Sequence, residues 1–166
     1  RICSLYEEND NYRLDGFDGI KICAGRLTKV KLGELSDLFG KAYEKDMTKA
    51  QDALQQADLI LFSYPVYTFI APYQLHRFIE LVKASGVDLS GKFASQITTS
   101  KHFYDVTAHR YIQDNCQDLG MKFVRGLSAD MDDLLKKKGQ KEAVDFFNYL
   151  CWCVENDVYE ALKLKL

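Results

Sequence analysis

Residues 58–82 of this sequence, DLILFSYPVYTFIAPYQLHRFIELV, change periodicity half-way. The opening run is apolar without polar alternation, which predicts a strand over 58–63 covered on both faces. Leu75, Phe78, Ile79 and Val82 then recur at i, i+3, i+4 and i+7, the spacing of an amphipathic helix beginning near Pro72. Between the two lies a connection with both of the chain's prolines and the aromatics Tyr64, Tyr67, Phe69 and Tyr73, nearly free of charge. Solvent-facing turns draw on Gly, Asn, Asp and Ser instead. This connection must face something other than water.

The flanking sequence repeats the strand-then-helix pattern. Upstream, Ile20 to Cys23 reads as extended, and Ile2 to Tyr6 as a short strand. Met47, Ala50, Leu54 and Ala57 share one helical face, with Asp46 as a candidate cap. Downstream, residues 93–99 read as a second strand, followed by a polar and aromatic loop over 100–105. A helix over about 106–119 would bury Ala108, Tyr111, Ile112, Cys116 and Leu119, and Gly120 stands where a helix C′ glycine belongs. Residues 121–125 read as a third strand, ending at Gly126. A last helix from about Gln140 would bury Ala143, Phe146, Phe147, Leu150 and Val154. Such alternation implies parallel strands joined by right-handed crossovers, hence an α/β three-layer sandwich. Ligands of such sheets lie beyond the carboxyl ends of the strands. The loops after residues 58–63 and 93–99 both open there. Rich in Tyr, Phe and Pro, they would wall a flat apolar cleft, suited to a planar aromatic cofactor better than to a sugar or a metal. Equally, the same aromatics would fill a core gap or a subunit interface.

Bulk properties narrow the choice. At 166 residues the chain has room for one domain, taken as 1–166. A net charge of −2 gives no general grip on nucleic acid or on anionic lipid. The run Lys136-Lys137-Lys138 reads as a solvated helix end. No apolar run is long enough to cross a membrane, and no signal peptide is visible. Five cysteines at irregular spacing argue against a disulfide framework and for a reducing, cytoplasmic setting. Cys151 and Cys153 lack a second Cys/His pair at zinc spacing and fall in the last helical pattern, so they read as core residues.

Two segments resemble a known family. KDMTKAQDALQQADLILFSYPVYTFIAPYQLHRFIELV resembles the acidic turn, strand and P-V-Y loop of flavodoxin-like NAD(P)H-dependent FMN reductases. GKFASQITTSKHFYDVTAHRYIQDNCQDLGMKFVRGLSADMDDLLKKKG resembles their next strand, T-S loop and D-x-T-A-H helix, as in relatives of the iron–sulfur flavoproteins. The resemblance spans about 46–139. It implies a flavodoxin-like sandwich with a parallel sheet, and FMN held by Pro65, Val66, Tyr67 and Thr68 on one loop. On the other loop it implies Thr99, Ser100, Lys101 and His102, with Phe103 and Tyr104 as walls. NAD(P)H would deliver hydride to the flavin, which would pass it to a small-molecule or protein electron acceptor; His102 is the candidate for assisting proton transfer. His76 and His109 read as packing or surface residues. A homodimer is implied too.

Two departures from the family pattern stand out. RICSLYEEND lacks the glycine and hydroxyl cluster of the G-S-P-R-type loop that binds FMN phosphate at a helix N-terminus. The fold is therefore expected to be N-terminally incomplete, starting near the family's second strand, with weakened FMN affinity. The cluster-related C-x-G-C-x-x-C pattern survives only as Cys23, with Arg26 and Lys29 where sulfurs would be. An iron–sulfur cluster, which generally takes four thiolates, is not expected, nor any other metal centre.

Overall fold

Residues 21–26, 31–34, 47–101, 104–130 and 132–161 are described by a computed structural model of the chain. Their order is β1 (Lys21–Arg26), β2 (Lys31–Glu34), α1 (Thr48–Gln56), β3 (Leu59–Val66), α2 (Tyr73–Ser85), β4 (Phe93–Ser100), α3 (Val106–Asp118), β5 (Lys122–Phe123), β6 (Leu127–Asp130), a 3-10 turn (Asp133–Leu135) and α4 (Lys137–Glu155). The expectations for Ile2 to Tyr6, the missing phosphate loop and Asp46 fall outside the described residues.

The apolar run read as a buried strand is β3, with helices on both of its faces. Ile60, Phe62, Tyr64 and Val66 point into a core shared with Leu54 of α1, Leu75, Phe78 and Ile79 of α2, and Ala108 and Ile112 of α3. Leu59 and Leu61 point the other way, into a smaller core with Phe93, Ile97, Val124, and Leu150 and Cys153 of α4. Alternation along the strand thus feeds two cores from one run. The result is the three-layer sandwich expected.

The strand order is β2-β1-β3-β4-β5, with β6 also on β4. β3 and β4 pair in parallel over their full lengths, and β4 pairs in parallel with β5 and β6. β1 departs from the uniform parallel expectation. It runs antiparallel to β3 and to β2, so the sheet has a parallel body and an antiparallel margin.

The third strand differs from its reading as one piece ending at Gly126. Ala94 pairs with Phe123, but Ile97 pairs with Leu127, so one extra residue enters the second strand between them. This is a bulge, rare in parallel pairs. Gly126 sits in it because a Cβ there would lie 2.3 Å from Gln96 Cγ and 2.4 Å from the Gln96 carbonyl oxygen. The glycine read as a stop is a close-approach point, and the strand resumes beyond it as β6.

The helices end much as the sequence indicates. After α3, Gly120 adopts φ 75°; its N–H bonds Gln117 O at 3.0 Å and the Met121 N–H bonds Cys116 O at 3.0 Å, a Schellman pattern. α1 starts without a side-chain cap at Met47. At its other end Lys92 Nζ donates to Gln55 O at 2.6 Å and Ala57 O at 2.9 Å, bringing positive charge and donors to the exposed carbonyls. α4 begins at Lys137, earlier than Gln140, with Lys136, Lys137 and Lys138 all exposed. Cys153 is buried and Cys151 half-buried. Among the described residues no helix is long and apolar enough to cross a membrane.

Candidate functional site

Both loops singled out from the sequence leave the same edge side by side. β3 and β4 stay in register to their last residues, Pro65 opposite Thr99 and Val66 opposite Ser100. These four residues therefore belong to strand ends, a small change from the reading of Pro65, Val66 and Ser100 as loop. Among the described residues the pairing of β3 with β1 ends at Ser63.

Beyond the strand ends the two loops touch. Phe69 and Tyr104 have ring centroids 5.6 Å apart, and the Phe69 carbonyl accepts the Ala108 N–H at 3.0 Å. Phe69 holds this position at φ 66°, the left-handed region that a bulky side chain rarely occupies. Tyr67 is 73% exposed, Tyr104 60% and Phe69 55%, beside exposed Ile70 and Tyr73. Five large side chains thus face solvent on these loops and at the start of α2, an aromatic-rich margin. Thr68 and Lys101 are exposed as well, and Pro65 and Thr99 half-buried. His102 and Phe103 lie outside the described residues.

Under this margin β4 turns polar. Ala94, Gln96, Thr98 and Ser100 share the face toward α3, and all are buried. Tyr64 donates to Gln96 Oε1 at 2.6 Å, and Gln96 Nε2 donates to His109 O at 3.0 Å. Burial, with the Asp105 carboxylate nearby, pushes the Tyr64 phenol well above its ordinary range, so it stays a neutral donor. Thr98 donates to Asp105 Oδ2 at 2.9 Å, as does the Ser128 hydroxyl. Burial lowers the His109 pKa, against the opposing pull of Asp105 and with help from Arg125, which favours a neutral imidazole.

Ser100 breaks the pattern. It is 2% exposed, yet its hydroxyl has no hydrogen-bond partner among the described residues. Buried polar groups are nearly always paired, and an orphan at a sheet's carboxyl edge asks for a ligand atom. Among the described residues, Leu54, Phe78, Cys116 and Met121 line a core void of about 10 Å³, one water at most. A planar heterocycle with polar edges would meet the aromatic margin, and the Ser100 hydroxyl once the touching loops part, because that oxygen is fully buried in this structure. Among the described residues no three His, Cys, Asp or Glu side chains gather as a metal site.

The structure thus brings Pro65, Val66, Thr99 and Ser100 together, with Tyr67 and Tyr104 at the rim. Sequence reading missed Phe69 as a site residue, although it was visible as an uncharged aromatic. Thr98, Asp105, His109 and Ser128 do not read as one group in sequence, since Ser128 lies far from the rest; His109, read as a packing or surface residue, is half-buried among them.

An α/β sandwich with paired loops at the carboxyl edge of adjacent parallel strands is the architecture of proteins that hold flat cofactors there. The chain belongs to the family with a flavodoxin-like fold, whose sequence model matches residues 3–145. No curated protein matches it. Among solved structures it is similar to an NADPH-quinone reductase from P. pentosaceus, with 16% identity over 68% of this chain and 87% of that one and a TM-score of 0.53. It is also similar to a flavodoxin from the domain Archaea, with 13% identity over 72% and 87% and a TM-score of 0.52.

Proposed function

We propose that the chain is an FMN-dependent oxidoreductase, taking hydride from NAD(P)H and passing it to a quinone, a flavin, a metal or a protein acceptor. The observation that carries the reading is the unpartnered, buried Ser100 hydroxyl between two touching aromatic loops. Bound FMN would supply the redox chemistry. Ser100 would offer a hydrogen bond at the ring's polar edge. Tyr67, Phe69 and Tyr104 would cover its faces and keep bulk water away. Pro65, Val66 and Thr99 would set the height of the floor, and Thr68, Lys101 and His102 complete the residues we assign to the cofactor, with Phe103 a further wall. A cytoplasmic homodimer fits the same reading.

Family membership supports the fold part of this reading, and the likeness to a quinone reductase is consistent with the reaction part. A flavodoxin-type electron carrier is the second reading, favoured by the likeness to the archaeal flavodoxin. A non-catalytic scaffold is the third. Anaerobic stopped-flow mixing of FMN-loaded protein with NADPH or NADH separates them. Rapid bleaching of the flavin's visible band supports the oxidoreductase. Bound flavin that dithionite reduces but nicotinamides do not would favour the carrier, and no bound flavin at all would favour the scaffold.

A further inference from the structure

Asp105 stands at the N-cap of α3 but makes no capping hydrogen bond with its side chain. An Asp at this position ordinarily accepts from the helix's own first amides. Here the carboxylate turns toward the sheet. Oδ2 accepts from Thr98 Oγ1 of β4 at 2.9 Å and from Ser128 Oγ of β6, and His109 Nε2 of α3 lies 3.4 Å away. Thr98 Oγ1 is also 2.6 Å from His109 Nε2. A hydroxyl has one proton to give. Thr98 gives it to Asp105, so the bond from His109 must be Nε2–H donating to Thr98. The chain of bonds runs His109 to Thr98 to Asp105, with Ser128 closing on the same oxygen.

Stability alone does not account for a carboxylate this buried (Asp105 is 4% exposed). Apolar residues of matching shape commonly stabilise a fold as well as a buried charge does. What the bonds hold is more telling. Thr98 immediately precedes Thr99 and Ser100, and Asp105 immediately follows Tyr104. Ser128 is the register partner of Thr98 on β6. One oxygen atom therefore fixes both roots of the stretch that carries the site residues.

We propose that Asp105, acting through Thr98 and Ser128, is the positioning residue that sets where Thr99, Ser100 and Tyr104 stand. None of the four network residues needs to touch a ligand. The choice of ligand rests on the flavin reading, but the positioning itself does not.

The test uses the full chain without flavin. Thr98→Val keeps the side chain's shape and removes both hydrogen bonds; Thr98→Ser keeps the hydroxyl. Hydrogen exchange is followed at the amides of Thr99, Ser100 and Ser128, and at Ile60 and Leu61 in the body of the sheet. Thr98→Val should speed exchange at the first three at least tenfold and at the last two less than threefold, and Thr98→Ser should restore wild-type rates. Riboflavin affinity should then fall about tenfold in Thr98→Val and recover in Thr98→Ser. Equal acceleration at both sets of amides, or none, would overturn the proposal and leave a merely structural bond. If Thr98→Val does not fold, Ser128→Ala, which removes one donor and spares the rest, is judged by the same amides. Failure of the wild-type chain to bind riboflavin would count against the flavin reading, while the exchange rates would still decide the positioning role.

Discussion

Replacing Gly126 by alanine places one methyl group into the tightest backbone approach of the sheet. The new Cβ would meet the Gln96 carbonyl oxygen at 2.4 Å and Gln96 Cγ at 2.3 Å, where ordinary contact begins near 3.4 Å. Relief needs a shift of about an ångström, and one of the clashing atoms is backbone, so rotating the Gln96 side chain cannot provide it. Overpacking of this kind costs about 1–3 kcal/mol. Gln96 also loses alignment with Tyr64 and His109 O, bonds worth about 1 kcal/mol each. A total of about 3–5 kcal/mol is expected. At a urea dependence of about 2 kcal/mol per molar, the unfolding midpoint should fall by about 1.5–2.5 M. Gly86→Ala is the control: nothing lies within 4 Å of its added methyl, so only the left-handed backbone at φ 70° resists it. Its cost should stay near 1 kcal/mol. A Gly126→Ala midpoint indistinguishable from wild type would refute the bulge as described.

Other expectations concern single interactions. Tyr64→Phe strands the buried Gln96 Oε1 and should cost about 1–3 kcal/mol by urea denaturation; pairing it with Gln96→Leu should recover part of that loss. Phe69→Gly removes left-handed strain of about 1–2 kcal/mol and also the contact with Tyr104, so stability should hold or rise while riboflavin affinity falls. The His109 pKa is lower in the folded than in the unfolded chain, so the unfolded state takes up the proton first on acidification. The stability linked to His109 is complete above the unfolded value of about 6.5 and is lost as pH falls from there through the folded value. Denaturation between pH 8 and pH 5 should show that loss, and His109→Gln should flatten it.

Much of the body of the fold could be read because its signals are local. The period-3.6 pattern of Leu75, Phe78, Ile79 and Val82 matches the residues α2 buries. The apolar run before it matches β3, and Gly120 ends α3 as its position suggested. β6 could not be read, because four residues of mixed polarity, LSAD, carry no periodicity; their strand state comes from pairing with β4. Antiparallel pairing of β1 was equally hidden, since strand direction is a tertiary property. At the site, the aromatic loops were legible from their unusual composition. Asp105 reads in sequence only as the end of a polar and aromatic loop, and its actual use depends on Ser128, 23 residues away. The rest of the site stayed hidden for the same reason: Ser100 looks ordinary in sequence, and only burial without a partner marks it.

A flavin ring held at the two loops is the central claim. Titrating isotope-labelled protein with riboflavin, which has the ring without the phosphate, and following backbone amide resonances tests this directly. Shifts should cluster at Val66 to Ile70, Thr99 to Lys101 and Tyr104 to Ala108, with α4 and β5 unmoved. No shift at millimolar riboflavin, or shifts centred on α4, would contradict the assignment of this edge as the cofactor site.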